Sequence, residues 1–175
     1  MATKAVLRAY RFTLDPTPAQ QQRLLRWCGN ARLAFNFALA AKKQQAHEQW
    51  RAEVDALLEQ GVPEAQARKT VRVPLPAKPG TQKAFQAARG VDRTGTAGVC
   101  PWWHEINTYV FQSAFADADR AWKNWLDSVK GVRAGRRVGY PRFKKRSRSR
   151  DSFRLHPSPP LPRQSNANGC AKHTA

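Results

Sequence analysis

The chain has 175 residues, and its 31 lysines and arginines against 12 aspartates and glutamates give a formal net charge of +19 at pH 7. The hydrophobic fraction of 41% is ordinary for a globular protein, which excludes a wholly disordered chain. No stretch approaches about 18 apolar residues, so no membrane-spanning helix is expected. The cationic surplus predicts a polyanionic partner, because charge kept for solubility alone rarely reaches this size.

The N-terminus and the cysteines indicate where the protein resides. No apolar run precedes a small-residue cleavage site near Met1, so no signal peptide is predicted. The three cysteines, Cys28, Cys100 and Cys170, are too widely spaced for a zinc site, and their odd number does not suggest a disulfide framework. We therefore expect free thiols and a soluble, cytoplasmic protein associated with the nucleoid.

The first predicted element is a β-strand over residues 4–14. Tyr10, Phe12 and Leu14 alternate with other residues at period two, which is typical of a strand with one aromatic face. Asp15-Pro16 ends it, because proline offers no backbone hydrogen-bond donor.

A helix is predicted to begin directly after this proline. Thr17 is a favourable N-cap, Pro18 suits the first helical position and Gln20 completes a capping box. The apolar residues then recur at three- and four-residue steps, at Leu24, Cys28, Ala31, Phe35 and Ala38. Gly29-Asn30 weakens the middle of this pattern, so either one helix or two are compatible with it.

Further helices are predicted along the middle of the chain. The patterns indicate helices over about residues 44–60, 63–69 and 82–89, and residues 90–98 are expected to form a loop. After Pro101 an aromatic stripe follows helical spacing and is interpreted as core rather than as a binding surface; its members are Phe111, Phe115, Ala118, Trp122 and Trp125. Gly131 ends this last helix.

Residues 130–154, hereafter the basic segment, carry the strongest functional signal. They contain eleven lysines or arginines and one acid, Asp151. Cations release condensed counterions from phosphates, and interleaved aromatic rings can stack on bases, so the segment suits nucleic acid. The rival interpretation is a solvated, disordered tail, against which the turn-like Gly139-Tyr140-Pro141 followed by Phe143 argues.

The predicted binding residues follow from that composition. Tyr140 and Phe143 are interpreted as stacking faces or as packing, with packing favoured for Phe143. Arg8 and Arg11 on the first strand are expected to add contacts. The phosphate-binding candidates in the basic segment are Arg136, Arg137, Arg142, Lys144, Lys145, Arg146 and Arg148.

No catalytic residue, metal site or cofactor is predicted. The four histidines form no ligand cluster, and the sequence has no glycine-rich phosphate loop or nucleophile elbow. Asp117 and Asp119 lie two residues apart and are expected to face solvent on different sides of a helix. A metal-dependent nuclease centre requires several converging carboxylates, which are scarce here.

Three blocks resemble, in order, parts of the OrfB/TnpB-type proteins of insertion sequences. The first has Pro-Thr-Pro before a helix with Gly29, Arg32 and Asn36 as landmarks, the second is PWWHEINTYVFQSAFADADRAWKNWL, and the third carries the family's Pro-x-Phe-Lys signature in GYPRFKKRSRSRDSFRL. They cover residues 8–39, 101–126 and 139–155. Residues 44–98 match loosely.

The resemblance implies a fold and a function. Full-length members resemble compact RNA-guided DNA endonucleases, in which a helical recognition insert splits a wedge-like β-barrel ahead of a RuvC-like nuclease. Profiles describe the family's start as a helix-turn-helix, although structures of relatives do not use it to read the major groove. We accordingly expect a mainly α fold with a few β-strands (α+β): residues 1–14 as the first barrel strand, 15–130 as the insert, 131–155 as a basic hinge and returning strand, and 156–175 as a disordered tail.

The chain departs from this family where the barrel is expected to continue. The catalytic carboxylates and paired zinc cysteines of the family are absent from the sequence, and residues 156–175 do not resemble it. The leading hypothesis is a truncated, nucleic-acid-binding N-terminal part that binds guide RNA or DNA without cleaving it. A small DNA-binding regulator of the transposon and a non-functional frameshifted product remain alternatives, and the oligomeric state is open.

Overall fold

The computed structural model describes residues 10–90 and 98–155, and these residues form a helical fold. A π-helical segment, Gln44–Gln49, and a short 3-10 turn, Trp103–Glu105, accompany the α-helices. The α-helices in this part of the chain are α1 (Pro18–Lys43), α2 (Trp50–Glu59), α3 (Glu64–Thr70), α4 (Lys78–Ala88) and α5 (Thr108–Val129). None of the described helices is long and apolar enough to cross a bilayer.

Helix α1 begins with the predicted capping box. The Thr17 backbone N–H donates to Gln20 Oε1 at 2.9 Å, and the Gln20 N–H donates to Thr17 Oγ1 at 3.4 Å. The helix then continues through Gly29 and Asn30, so the interpretation with two helices is wrong. Asn30 is only 4% exposed and its amide donates to the Arg26 carbonyl at 2.8 Å. This burial offsets the low helix propensity of the Gly-Asn pair.

The helical run extends beyond α1 without a loop. The π-helical segment joins α1 directly to α2, which ends before Gly61 at a φ of 82°. This confirms the predicted helix over residues 44–60, and α3 confirms the next. Val54, Ala67 and Val71 form a small separate core between α2 and α3.

The main core lies between α1, α4 and α5. The aromatic stripe of α5 is buried as predicted, with Trp122 4% exposed and Trp125 partly buried at the edge. Phe85 of α4 completes the core, with its ring 5.3 Å from that of Phe111 and 5.4 Å from that of Phe115. Small alanines on α1 allow the two long helices to approach closely.

Helix α4 starts four residues earlier than predicted because a tertiary contact caps it. The carboxylate of Asp119 on α5 accepts from the Lys78 backbone N–H at 3.0 Å. Asp119 also pairs with the buried Lys42 at 2.8 Å, and Lys42 donates to the Pro76 carbonyl at 2.5 Å. The prediction that Asp119 faces solvent is therefore wrong.

The predicted strands are not found in the described part of the chain, so the α+β fold with an incomplete barrel is contradicted. Tyr10, Phe12 and Leu14 lie on irregular chain and are 72%, 85% and 72% exposed. A strand needs a hydrogen-bonded neighbour and a cover for its apolar face, and the described residues present neither to this segment. Residues 152–155 likewise form no strand. Residues 4–9, most of the predicted loop at 90–98 and the predicted disordered tail lie outside the described residues.

Candidate nucleic-acid interface

The basic segment folds back along α1 and α5. Helix α5 ends at Val129, and Gly131 turns the chain with a φ of 72°. The Val138 backbone N–H donates to Ser128 Oγ at 2.9 Å, which fixes the start of the return. The returning chain has no regular secondary structure between residues 132 and 145, so side chains of the helices must hold it.

Asn36 on α1 makes the most specific of these contacts. Its Nδ2 donates to the Lys144 carbonyl at 2.9 Å, and its Oδ1 accepts from the Lys144 backbone N–H at 2.8 Å. One amide thus satisfies both backbone polar groups of Lys144, as a neighbouring strand would. The contact fixes the segment's position along α1.

Ion pairs hold the end of the basic segment. Arg32, one turn before Asn36 on α1, pairs with Asp151, and Arg154 pairs with Asp117 of α5. The ring of Phe153 packs edge-on against Trp27 at 5.3 Å. The expectation that Asp117 faces solvent is therefore wrong, since its carboxylate binds a cation of the segment.

Tyr140 packs into the helical core rather than standing free. Its ring lies 5.6 Å from that of Trp122 and 4.7 Å from that of Trp125. Its hydroxyl lies 2.6 Å from His47 Nε2, in the π-helical segment. Burial raises the pKa of Tyr140 above its ordinary value of 10.0. Of the two interpretations of Tyr140, these contacts favour packing.

Lys144 and Phe143 are also engaged with α1. Lys144 Nζ lies over the Phe35 ring at 4.2 Å, and Lys43 Nζ lies over the Phe143 ring at 4.4 Å. Burial lowers the pKa of Lys144 below 10.5, and the nearby Arg32 guanidinium lowers it further. Lys144 is therefore an anchor, whereas Phe143 keeps 44% of its surface exposed.

Six of the predicted cations remain open to solvent. None of them forms an ion pair with an acid among the described residues; they are Arg136, Arg137, Arg142, Lys145, Arg146 and Arg148. The last three lie on a turn in which the Lys145 N–H donates to Ser149 Oγ at 3.0 Å and the Ser149 N–H donates to the Lys145 carbonyl at 2.8 Å. We call these six residues the exposed cations. Arg11 is also exposed but has no described contact with the basic segment, and Arg8 lies outside the described residues.

The sequence reasoning missed the residues that hold the segment. Arg32, Asn36, Lys43 and His47 were not among the predicted site residues, although all contact it. A signal was present, because Arg32 and Asn36 lie four residues apart and therefore on one face of α1. Both are polar residues beside the buried Ala31 and Phe35, where an unpaired polar group is costly. A polar partner for that face was predictable.

The carboxylates near the segment serve as structural partners. Asp117, Asp119 and Asp151 each pair with a cation. No group of three or more histidine, cysteine, aspartate or glutamate side chains that could hold a metal ion occurs among residues 10–90 and 98–155.

Comparison with known proteins defines the class. Residues 1–50 match the OrfB family of IS605 (HTH_OrfB_IS605), described as a helix-turn-helix domain. Two Mycobacterium tuberculosis proteins, from strains CDC 1551 and H37Rv, each named "Putative RNA-guided DNA endonuclease", are 34% identical over 145 residues. The similarity covers 83% of this chain and 28% of each relative, so the chain spans less than a third of their length.

The N-terminal part of the chain therefore matches a domain family of the kind found in transposases, which is described as a helix-turn-helix. More particularly, this match and the 34% identity over 145 residues support a likeness to the N-terminal part of OrfB/TnpB-type proteins. Within the matched region, residues 10–17 are irregular, and residues 18–50 form one helical run of α1, the π-helical segment and the first residue of α2, with no turn between two helices.

Proposed function

We propose that the chain binds nucleic acid through the exposed cations of the basic segment, as the N-terminal part of a transposon-encoded, RNA-guided endonuclease. The observation that carries the proposal is that some cations of the segment anchor it to the helices while others remain exposed. Lys144 and Arg154 are engaged with α1 and α5, whereas the six exposed cations have no described acidic partner. A fixed backbone lowers the entropy lost when these side chains meet phosphates.

The electrostatics of the whole chain support the same partner. A net charge of +19 attracts polyanions at long range, and arginine binds phosphate with two parallel hydrogen bonds. The relatives named as RNA-guided DNA endonucleases support guide RNA or DNA as that polyanion. Because Asp117, Asp119 and Asp151 are committed to ion pairs, we propose that this region binds without supplying cleavage chemistry.

A salt titration of binding tests the proposal. Fluorescence anisotropy with labelled single-stranded RNA and DNA should give a steep fall in affinity with salt, with a log–log slope of about −0.7 to −0.9 per phosphate neutralised. Replacing Arg142, Lys145, Arg146 and Arg148 together by alanine should flatten that slope by about three units. Lys144 is left in place because its side chain packs on Phe35.

A matched control separates local contacts from total charge. The variant Arg51→Ala, Lys69→Ala, Arg72→Ala, Lys83→Ala also removes four positive charges, but from exposed positions on or beside α2, α3 and α4. It should lower affinity only slightly, through long-range attraction. Equal slopes in the two quadruple variants would contradict the proposed binding site.

A second candidate is a DNA-binding regulator that reads a defined site. The description of residues 1–50 as a helix-turn-helix domain favours it. Such a protein would present a separate recognition helix to the major groove, whereas α1 buries its apolar face against α5 and the basic segment. A large excess of unrelated DNA discriminates the two, because it should compete fully with sequence-independent binding and poorly with a specific complex.

A further inference from the structure

Two surface cavities adjoin at Gly29, midway along α1. One, of about 450 Å³, opens toward the basic segment and is lined in part by Arg32 and Arg146. The other, of about 650 Å³, is lined in part by Val99 and Trp102. Gly29 lines both, so the surface across α1 there is one groove with a cationic half and an apolar half. We call this surface the α1 groove.

Trp102 presents a fixed and open aromatic face in the apolar half. Its Nε1 donates to Asn30 Oδ1 at 3.0 Å, yet the residue is 46% exposed. Asn30 is itself buried and held by a hydrogen bond to the Arg26 carbonyl. The neighbouring Trp103, by contrast, is covered by the Arg89 guanidinium at 3.6 Å from the ring centroid. Trp102 is thus held in place without being covered.

Gly29 keeps the floor of the groove open. Apart from the neighbouring residues and the backbone of α1 itself, a Cβ at this position would meet only a guanidinium nitrogen of Arg32 within 4 Å, at 3.9 Å. A glycine inside a helix lowers stability by about 1 kcal/mol relative to alanine. Glycine is nevertheless found where another group must approach the backbone closely. The bare backbone lies between the cationic and apolar halves.

We propose that the α1 groove binds one nucleotide of a single strand, with its base stacked on Trp102 and its phosphate beside Arg146. This inference rests on the proposed function. Aromatic faces combined with a cationic track are how proteins bind single strands without reading sequence. The two acids that line the groove, Glu105 and Asp151, are both paired with arginines, so the groove presents net positive charge. That positive charge favours a nucleotide, which carries a negative phosphate, over an apolar peptide without acidic residues.

The first test changes the stacking face. Trp102→Ala should weaken single-strand binding roughly five- to hundredfold, the range found for loss of one base stack, without changing the salt slope. Trp102→Phe, which keeps a ring, should retain most of the affinity. Phe12→Ala removes an aromatic ring that is 85% exposed elsewhere and should have no effect.

The second test changes the ligand instead of the protein. A strand with abasic sites keeps every phosphate but offers no base. The unaltered chain should therefore bind the abasic strand more weakly than the normal strand, whereas Trp102→Ala should bind the two strands with nearly equal affinity. Gly29→Leu should fill the groove and weaken binding, whereas Gly80→Leu, at an open helical glycine of α4, should not. Thermal melts of each variant check that the fold is kept.

The outcomes distinguish this inference from the proposed function. If Trp102→Ala loses equal affinity for normal and abasic strands, or loses none, the groove does not take a base, even where the salt slope stays steep. If Gly29→Leu binds like the parent, the groove is not occupied. Absence of salt-dependent binding by the unaltered chain would overturn the proposed function and this inference together.

Discussion

The side-chain amide of Asn36 binds both the N–H and the carbonyl of Lys144, at 2.8 and 2.9 Å, across 108 residues of sequence. Arg32, one turn away on α1, pairs with Asp151 near the end of the same segment. Helix α1 therefore fixes the basic segment on both sides of Arg146 and Arg148. The chain's most cationic stretch is held by side-chain contacts and leaves its charged groups free for a partner.

Removing this amide should loosen the basic segment. Asn36→Ala leaves two backbone groups of the partly buried Lys144 without partners, which should lower the free energy of unfolding by about 1–3 kcal/mol. Urea unfolding measures this loss, and hydrogen exchange should rise at Lys144. Gln21→Ala, at an exposed site near the start of α1, is the control and should be neutral. Equal stability of the two variants would show that the amide contact is dispensable.

The ion pair between the buried Lys42 and Asp119, whose side chain is 33% exposed, should contribute more to stability. Lys42 is 5% exposed, and Asp119→Asn leaves its charge without a counter-charge, which should cost about 3–5 kcal/mol. Asp127→Asn, on the same helix and with no ion pair among the described residues, should cost far less. Thermal unfolding compares the two. The double variant Lys42→Met, Asp119→Asn should recover part of the loss, and a failure to recover any would argue against an uncompensated charge as the cause.

The sequence predicted the helices of this fold better than its extended segments. Capping and apolar periodicity are local, so Thr17 and Gln20 predicted the start of α1, and the aromatic spacing predicted the buried face of α5. Strand formation depends on a partner elsewhere, so the alternation of residues 10–14 was a weaker guide, and those residues form no strand. Asp119 capping α4 was likewise invisible, because that contact joins distant parts of the chain.

Composition indicated the region of the candidate site but not the role of each side chain in it. The density of lysine and arginine located the basic segment, yet composition could not distinguish the anchored Lys144 from the exposed Lys145 beside it. That difference arises from Phe35 and Asn36, which lie more than 100 residues earlier. Composition thus predicts a region for phosphate binding, which stays a prediction, whereas tertiary contacts decide which side chains of that region remain exposed.

The core residue Trp122 and the exposed residue Trp102 should differ in their effect on stability. Trp122 is 4% exposed in the core, so Trp122→Ala should cost about 3–5 kcal/mol. Trp102 is 46% exposed, so Trp102→Ala should cost clearly less. Chemical denaturation of both variants gives the comparison. A Trp122→Ala variant that unfolds at the parent's midpoint would show that the aromatic stripe is not core.

Cys100 should make the fold less stable at high pH. Burial raises the pKa of its thiol from 9.0 to about 11, so between these values the folded chain holds a proton that the unfolded chain has released. The free energy of unfolding should therefore fall as the pH rises from about 9 toward about 11. Stability curves of the parent and of Cys100→Ala should converge over this range, because the variant lacks the titrating thiol. Parallel curves would contradict a buried, neutral thiol.

If phosphates bind the exposed cations and not the anchored ones, lysine footprinting will show it. The chain is acetylated with and without saturating single-stranded nucleic acid, and modification at Lys145 is compared with that at Lys83 on α4 by mass spectrometry. Both lysines are exposed in the free chain. Nucleic acid should protect Lys145 and leave Lys83 unchanged, whereas equal modification of Lys145 in the free and bound chain would place the phosphates elsewhere.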